Sequence, residues 1–136
     1  MTPTLYGRWQ TRFLLLTLLG IPLTALFAWG YGDGVTPFVL LAYVLLLGFV
    51  WDVVYDILQT LRWNRDWPPL FALLASLWEG VFLWAALNWL PGVSATLTVA
   101  RFAAHYLTVS LSVWLATHTL LLVLFPHWRF RGGQWK

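Results

Sequence analysis

Four long apolar runs, separated by glycines, prolines or a charged turn, set the pattern of this chain. The first follows a basic lead-in, Arg8 and Arg12, and extends from Phe13 to Trp29, so that a helix is expected over residues 10–30. Pro22 falls inside that run, removes a backbone donor and is expected to bend the helix. We read the run as a retained span rather than a cleaved leader, whose opening looks similar. The glycine-rich turn Gly30-Tyr31-Gly32-Asp33-Gly34 ends it. The second helix is expected over 37–63, with Pro37 in its first turn. The loop Asn64-Arg65-Asp66-Trp67 is so short that the second and third helices become antiparallel neighbours. Pro68 and Pro69 open the third, over 68–90, which stops at Pro91-Gly92. The fourth covers 98–125 and gives way to a polar, basic tail, 126–136.

A run of about 20 apolar residues is what a helix needs to cross the hydrocarbon core of a bilayer. The expected fold is therefore all-α: one integral-membrane domain, an antiparallel bundle of four transmembrane helices. Composition removes the alternatives. Of 136 residues, 60% are hydrophobic and only 10% charged, and the mean hydropathy is +0.73. A soluble domain carries about a quarter of its residues as Asp, Glu, Lys and Arg. Too little polar surface is left here for a soluble enzyme, a nucleic-acid binder or a disordered tail. Membrane lipids are thus expected partners and nucleic acid is not. The chain has 0 cysteines, which excludes disulfides, thiol redox chemistry and thiolate-held metals or iron–sulfur clusters.

The net charge of +3 has a simple reading in its distribution. Arg8, Arg12, Arg62, Arg65, Arg129, Arg131 and Lys136 fall at the N-terminus, the second loop and the C-terminus, whereas Arg101 alone falls on the other side. By the positive-inside rule both termini are expected in the cytoplasm, the membrane being a plasma (inner) membrane or, as the alternative, a thylakoid one. The 11 tryptophans follow the same layout. Trp9, Trp63, Trp67, Trp128 and Trp135 are expected at the cytoplasmic boundary, and Trp29 and Trp89 at the outer one, as an aromatic belt. Trp51, Trp78 and Trp114 are expected near mid-depth, where packing is the plain reading and a pigment or quinone wall the alternative.

Chemistry belongs with ionisable groups inside the spans, where a charge is costly and turns toward protein or a wet cavity. Asp52, Tyr55, Asp56, Gln59 and Arg62 recur along one stripe of the second helix. Glu79 on the third helix is expected at the depth of Asp52, both about 16 Å from the intervening turn. It shares its face with Ala72, Ala75, Ser76 and Ala86, small residues that let helices approach. On the fourth helix Arg101, His105, Thr108, Ser112 and Thr119 share a direction and His118 points elsewhere. The plain reading of these groups is a packing network, with Arg62 or Arg101 as the cation that pairs with the acids. The functional one is a wet path in which Asp52, Asp56 and Glu79 hand on a charge that Arg101 or His105 tunes. Contact with a cofactor or partner is the third.

The histidines raise haem or chlorophyll. His105 and His118 lie on one helix about 20 Å apart and diverge, so a single chain does not grip a haem between them. One axial histidine suffices for chlorophyll, and a hydrogen-bonded packing histidine is the plain reading. His127 reads as a headgroup contact. Phosphate-binding glycine loops, the H-E-x-x-H zinc helix and the G-x-S-x-G elbow are missing, so neither a metal site nor an enzyme is expected. The leading functional expectation is an accessory or structural subunit that packs against other membrane proteins or copies of itself. Its docking rim would be Arg62, Arg65, Asp66, Trp67 and Arg129. A small oligomeric proton- or ion-coupled carrier is the alternative, and a pigment- or haem-binding subunit the third expectation.

Overall fold

A computed structural model describes residues 2–32 and 34–135. Asp33 of the first turn and Lys136 of the tail lie outside the described residues. Among the described residues there is helix and turn but no strand. Four helices are long and apolar enough to cross a membrane: α1 (Leu5–Tyr31), α2 (Thr36–Thr60), α3 (Pro69–Trp89) and α4 (Val99–Leu124). Helices suit such apolar runs because every backbone donor finds its acceptor within its own segment, with no need of water.

α1 starts earlier than the apolar run suggests. Thr4 is extended, and its hydroxyl accepts the Gly7 N–H at 3.1 Å, capping the first turn. Arg8 and Arg12 therefore both lie well inside the helix. Pro22 offers no N–H to the carbonyl of Leu18, and the turn before it, Leu16–Gly20, is wound as a π-helix. The wider turn lets two neighbours face inward together. Leu15 packs with Ala116, Leu121 and Trp128, while Leu16 packs with Leu41 and Val109.

α2 ends at Thr60, three residues short of the sequence expectation. The N–H groups of Leu61 and Arg62 close tight turns onto Leu58 and Gln59 at 3.2 Å. The Gln59 side-chain amide donates to the Arg65 carbonyl at 2.8 Å, and Arg65 turns the chain at φ 49°. Arg62 and Trp63 thus belong to the turn. α4 is interrupted at Thr119 (φ −130°, ψ −70°), where the hydroxyls of Thr117 and Thr119 both donate to carbonyls four residues back.

Leu40, Leu83, Phe102 and Tyr106 join α2, α3 and α4 into one apolar cluster. The tail is the other structural anchor. After the turn Trp128–Arg131 the chain takes positive φ at Gly132 (63°) and Gly133 (85°) and lies against the start of α1. The Thr4 N–H donates to the Gly132 carbonyl at 2.8 Å, and the Thr11 hydroxyl to the Gly133 carbonyl at 3.3 Å. Trp128 donates its indole N–H to the Thr11 hydroxyl at 3.1 Å and is only 3% exposed. It is a core residue and not a member of the aromatic belt. Trp114 also differs from expectation: its indole N–H meets the Pro69 carbonyl at 2.9 Å, level with the start of α3 rather than mid-depth.

Candidate functional site

The site is built on three helices. Asp52 lies on α2, Glu79 on α3 and Arg12 on α1, two turns past the Thr4 cap. Asp52 and Glu79 are both buried. The Arg12 guanidinium lies between them: Nε donates to Asp52 Oδ2 at 2.8 Å and Nη2 to Oδ1 at 2.9 Å. On its other edge Nη1 donates to Glu79 Oε2 at 3.0 Å and Nη2 to Oε1 at 3.1 Å. All four carboxylate oxygens are engaged by one planar cation, the geometry for which arginine is suited and lysine is not. Gly48, one turn before Asp52 on α2, makes room for it, since a Cβ there would sit 2.3 Å from Arg12 Nη1. With both acids ionised the cluster carries one net negative charge, and with a proton on either it is neutral.

A polar layer extends from the cluster toward the turn between α2 and α3. Arg8 donates from Nη2 to Gln59 Oε1 at 2.6 Å and lies 4.7 Å over the Trp67 ring, while its Nε is buried without a hydrogen-bond partner. Tyr55 donates to the Ala75 carbonyl at 3.3 Å and Tyr106 to the Ser76 carbonyl. Gly80 admits the Tyr106 ring, which a Cβ would meet at 2.5 Å. Beside these groups lies a cavity of about 190 Å³ whose walls include Arg8, Arg12, Asp52, Glu79, Ser110 and His118.

The other sequence candidates separate clearly. Tyr55 and Gln59 are buried on the stripe of Asp52. Asp56 is half-buried and makes no hydrogen bond or ion pair with the described residues. The cation on the acids is Arg12 rather than Arg62 or Arg101. Arg62 stacks over Phe71 at 4.6 Å, and Arg101 over Tyr31 at 5.0 Å near the opposite end of α1. His105 is buried, with Nε2 2.9 Å from the Thr24 hydroxyl and its ring edge on Phe27. His118 places Nδ1 2.8 Å from the Trp114 carbonyl. A carbonyl only accepts, so Nδ1 is the donor here, and Nε2 is the other nitrogen of a ring that lines the cavity.

Of the expected rim, Trp67 packs between Tyr55 and Phe71 beneath Arg8, whereas Arg65 and Arg129 are exposed. The Asp66 N–H donates to Asn64 Oδ1 at 3.1 Å. Thr108 and Ser112 do not form an inward stripe with His105. Each hydroxyl donates to a carbonyl one turn back, at 2.7 Å, and the buried face of α4 is Phe102, His105, Tyr106, Val109 and Ala116. Sequence reasoning missed Arg12, and the signal that reveals it is the Pro3-Thr4 cap, which starts the helix two turns upstream. Among the described residues no three His, Asp or Glu side chains group to hold a metal ion. No family model, curated protein or solved structure matches the chain.

Proposed function

We propose that this chain is an integral membrane protein that exchanges a proton at Arg12, Asp52 and Glu79, as a small proton- or ion-coupled carrier acting as a homo-oligomer or beside other membrane proteins. The observation that carries this reading is that two carboxylates share a single guanidinium in the wall of a cavity. One acid against one base is electrically complete and has nothing to exchange. A second acid gives the three-residue cluster one net negative charge in a medium of low dielectric, with Arg8 in the same wall but not ion-paired to it. A proton on either acid makes the cluster neutral. Ser110 and His118 give that exchange a polar approach along the same cavity.

The finer architecture belongs to the same proposal: an antiparallel bundle in a plasma (inner) membrane with both ends in the cytoplasm. Its support is the hydrogen bonding of Thr4 to Gly132 and of Arg8 to Gln59, which draws both chain ends and the second loop together. The exposed Arg65, Arg129 and Arg131 then share one side, opposite Arg101.

Reconstitution into liposomes with an internal pH dye tests the carrier. Wild type should pass protons, Asp52→Asn and Glu79→Gln should fall to the level of empty vesicles, and Asp56→Asn, outside the cluster, should keep its flux. A wild type as tight as empty vesicles ends the reading.

A second reading is favoured by the closed hydrogen bonding of the cluster, in which both oxygens of each acid meet Arg12. Such closure also suits an interhelical lock in an accessory or structural subunit that docks through its exposed Arg65 and Arg129. A defined protein partner in native membranes, together with absent flux, selects it. For haem or chlorophyll, His118 offers its Nε2, whereas the Nε2 of His105 is taken by Thr24. A colourless purified protein removes that use.

A further inference from the structure

A second cavity, of about 220 Å³, lies beside the folded tail, away from the Arg12 cluster. Its apolar wall is Leu124, Phe125 and Pro126, and its polar wall includes His127, Arg131, Gln134 and Trp135. Among the described residues no acidic side chain lines it. Three of its lining residues carry donors that meet no acceptor among the described residues. The Trp135 indole Nε1 is buried without a hydrogen-bond partner. The side chains of Arg131 and His127 make no hydrogen bond or ion pair with the described residues. Trp135 is nonetheless held firmly, its ring 4.4 Å from that of Phe125 and its backbone N–H 3.3 Å from Gln10 Oε1.

A buried donor such as the Trp135 indole N–H is rarely left without an acceptor, because the lost hydration is not recovered. His127 and Arg131, by contrast, are exposed and add charge and donors at the rim. A wall of donors with a guanidinium and no acidic side chain among the described residues selects an anionic oxygen ligand, for which phosphate is the best match. The apolar side of the cavity continues onto the outer face of α4, where Val123 is 78% exposed and Leu124 65%. That continuity supplies a path for acyl chains, which a free phosphate does not need.

We propose that this cavity binds the phosphate of an anionic membrane lipid, with Arg131 and Trp135 as its donors and the lipid chains laid along Leu124 and Val123. The site is independent of any proton exchange at Arg12. It also differs from general attraction of a basic tail to an anionic surface, because it assigns the lipid to two named donors.

Native mass spectrometry of the purified full chain, offered phosphatidylglycerol or phosphatidylcholine in detergent, tests it. Wild type should retain phosphatidylglycerol in preference to phosphatidylcholine. Arg131→Gln and Trp135→Phe should each reduce that retention about tenfold or more. The phenylalanine keeps the ring on Phe125, and Arg131 is exposed, so neither change removes the fold. Arg129→Gln, a tail cation outside the cavity, should retain lipid as wild type does. Equal retention of the two lipids overturns the proposal, as does an unchanged Trp135→Phe. So does a loss in Arg129→Gln as large as in Arg131→Gln, which would mark bulk charge alone. Displacement of the lipid by millimolar inorganic phosphate would reassign the site to the free anion.

Discussion

Arg12 and Glu79 are 67 residues apart in sequence, and Nη1 of one lies 3.0 Å from Oε2 of the other. The contact ties α1 to α3, and Asp52 brings α2 onto the same cation. Removing the cation leaves two facing carboxylates without compensation. Arg12→Gln should therefore cost about 3–5 kcal/mol of bundle stability, the scale for breaking a buried pair from one side. The joint replacement Arg12→Met, Asp52→Leu, Glu79→Leu should be far less harmful, near neutral, because no charge is then left unpaired. Thermal retention of fold in detergent measures both. A joint variant weaker than Arg12→Gln would show that the charges themselves stabilise the bundle.

Gly48 tests the same cluster without touching a charge. Its missing Cβ is the space that the guanidinium occupies, and Gly48→Ala would bring a methyl group to 2.3 Å from Nη1. The arginine must move, and Asp52, on the same helix one turn away, loses its bidentate partner. Gly48→Ala should lower stability by about 2 kcal/mol or more, as overpacking of a filled interior does. Gly30, near the end of α1, has nothing within 4 Å of its Cβ position, so Gly30→Ala should be neutral or mildly stabilising. Parallel melting curves of the two variants decide it, and equal curves would contradict the tight seat.

The helices were legible because each apolar run is long and its ends carry glycine or proline. Asp52 and Glu79 stood out because acids inside apolar runs are costly wherever they occur. Arg12 did not stand out, because a cation at the front of an apolar run has the look of a topology signal. Only the Thr4 cap places it two turns inside a helix. The α4 stripe misled for another reason: Thr108 and Ser112 satisfy their hydroxyls on their own helix and need no polar neighbour. The tail read as a polar, basic end, but its docking onto α1 did not show in the sequence. Its partners are Thr4, Gly7 and Thr11, more than a hundred positions away, and backbone-to-backbone contacts leave no periodic trace in side chains.

Thr24 and His105 form a small test of buried polarity. Thr24 is 0% exposed and its hydroxyl lies 2.9 Å from His105 Nε2, which has Phe27 against its ring. Thr24→Val preserves the shape but strands the imidazole nitrogen, and should cost about 1–3 kcal/mol. Thr24→Ser restores the hydroxyl and should recover most of that loss. Chemical denaturation in micelles compares the three proteins. A Thr24→Val variant as stable as wild type would mean that His105 does not depend on this bond.

The seat of the tail on α1 depends on glycine at two facing positions. A Cβ on Gly7 would sit 2.0 Å from the Gly132 carbonyl oxygen, and both groups belong to rigid backbone. Gly132 itself holds φ 63°, and a Cβ there would meet Thr4 Cγ2 at 2.7 Å. Gly7→Ala must push the two strands of backbone apart, whereas Gly132→Ala bears left-handed strain of about 1–2 kcal/mol and a clash with a movable methyl group. Gly7→Ala should therefore be the more severe. The Thr4 N–H donates across this seat to Gly132 at 2.8 Å and reports on it directly. Hydrogen–deuterium exchange should show that amide protected in wild type, faster in Gly132→Ala and close to unprotected in Gly7→Ala. The Trp128 indole, 3.1 Å from the Thr11 hydroxyl, should become exposed to quenchers in the same order. A Thr4 amide that stays protected in Gly7→Ala would mean that the tail is held by its tryptophans and not by the backbone contact.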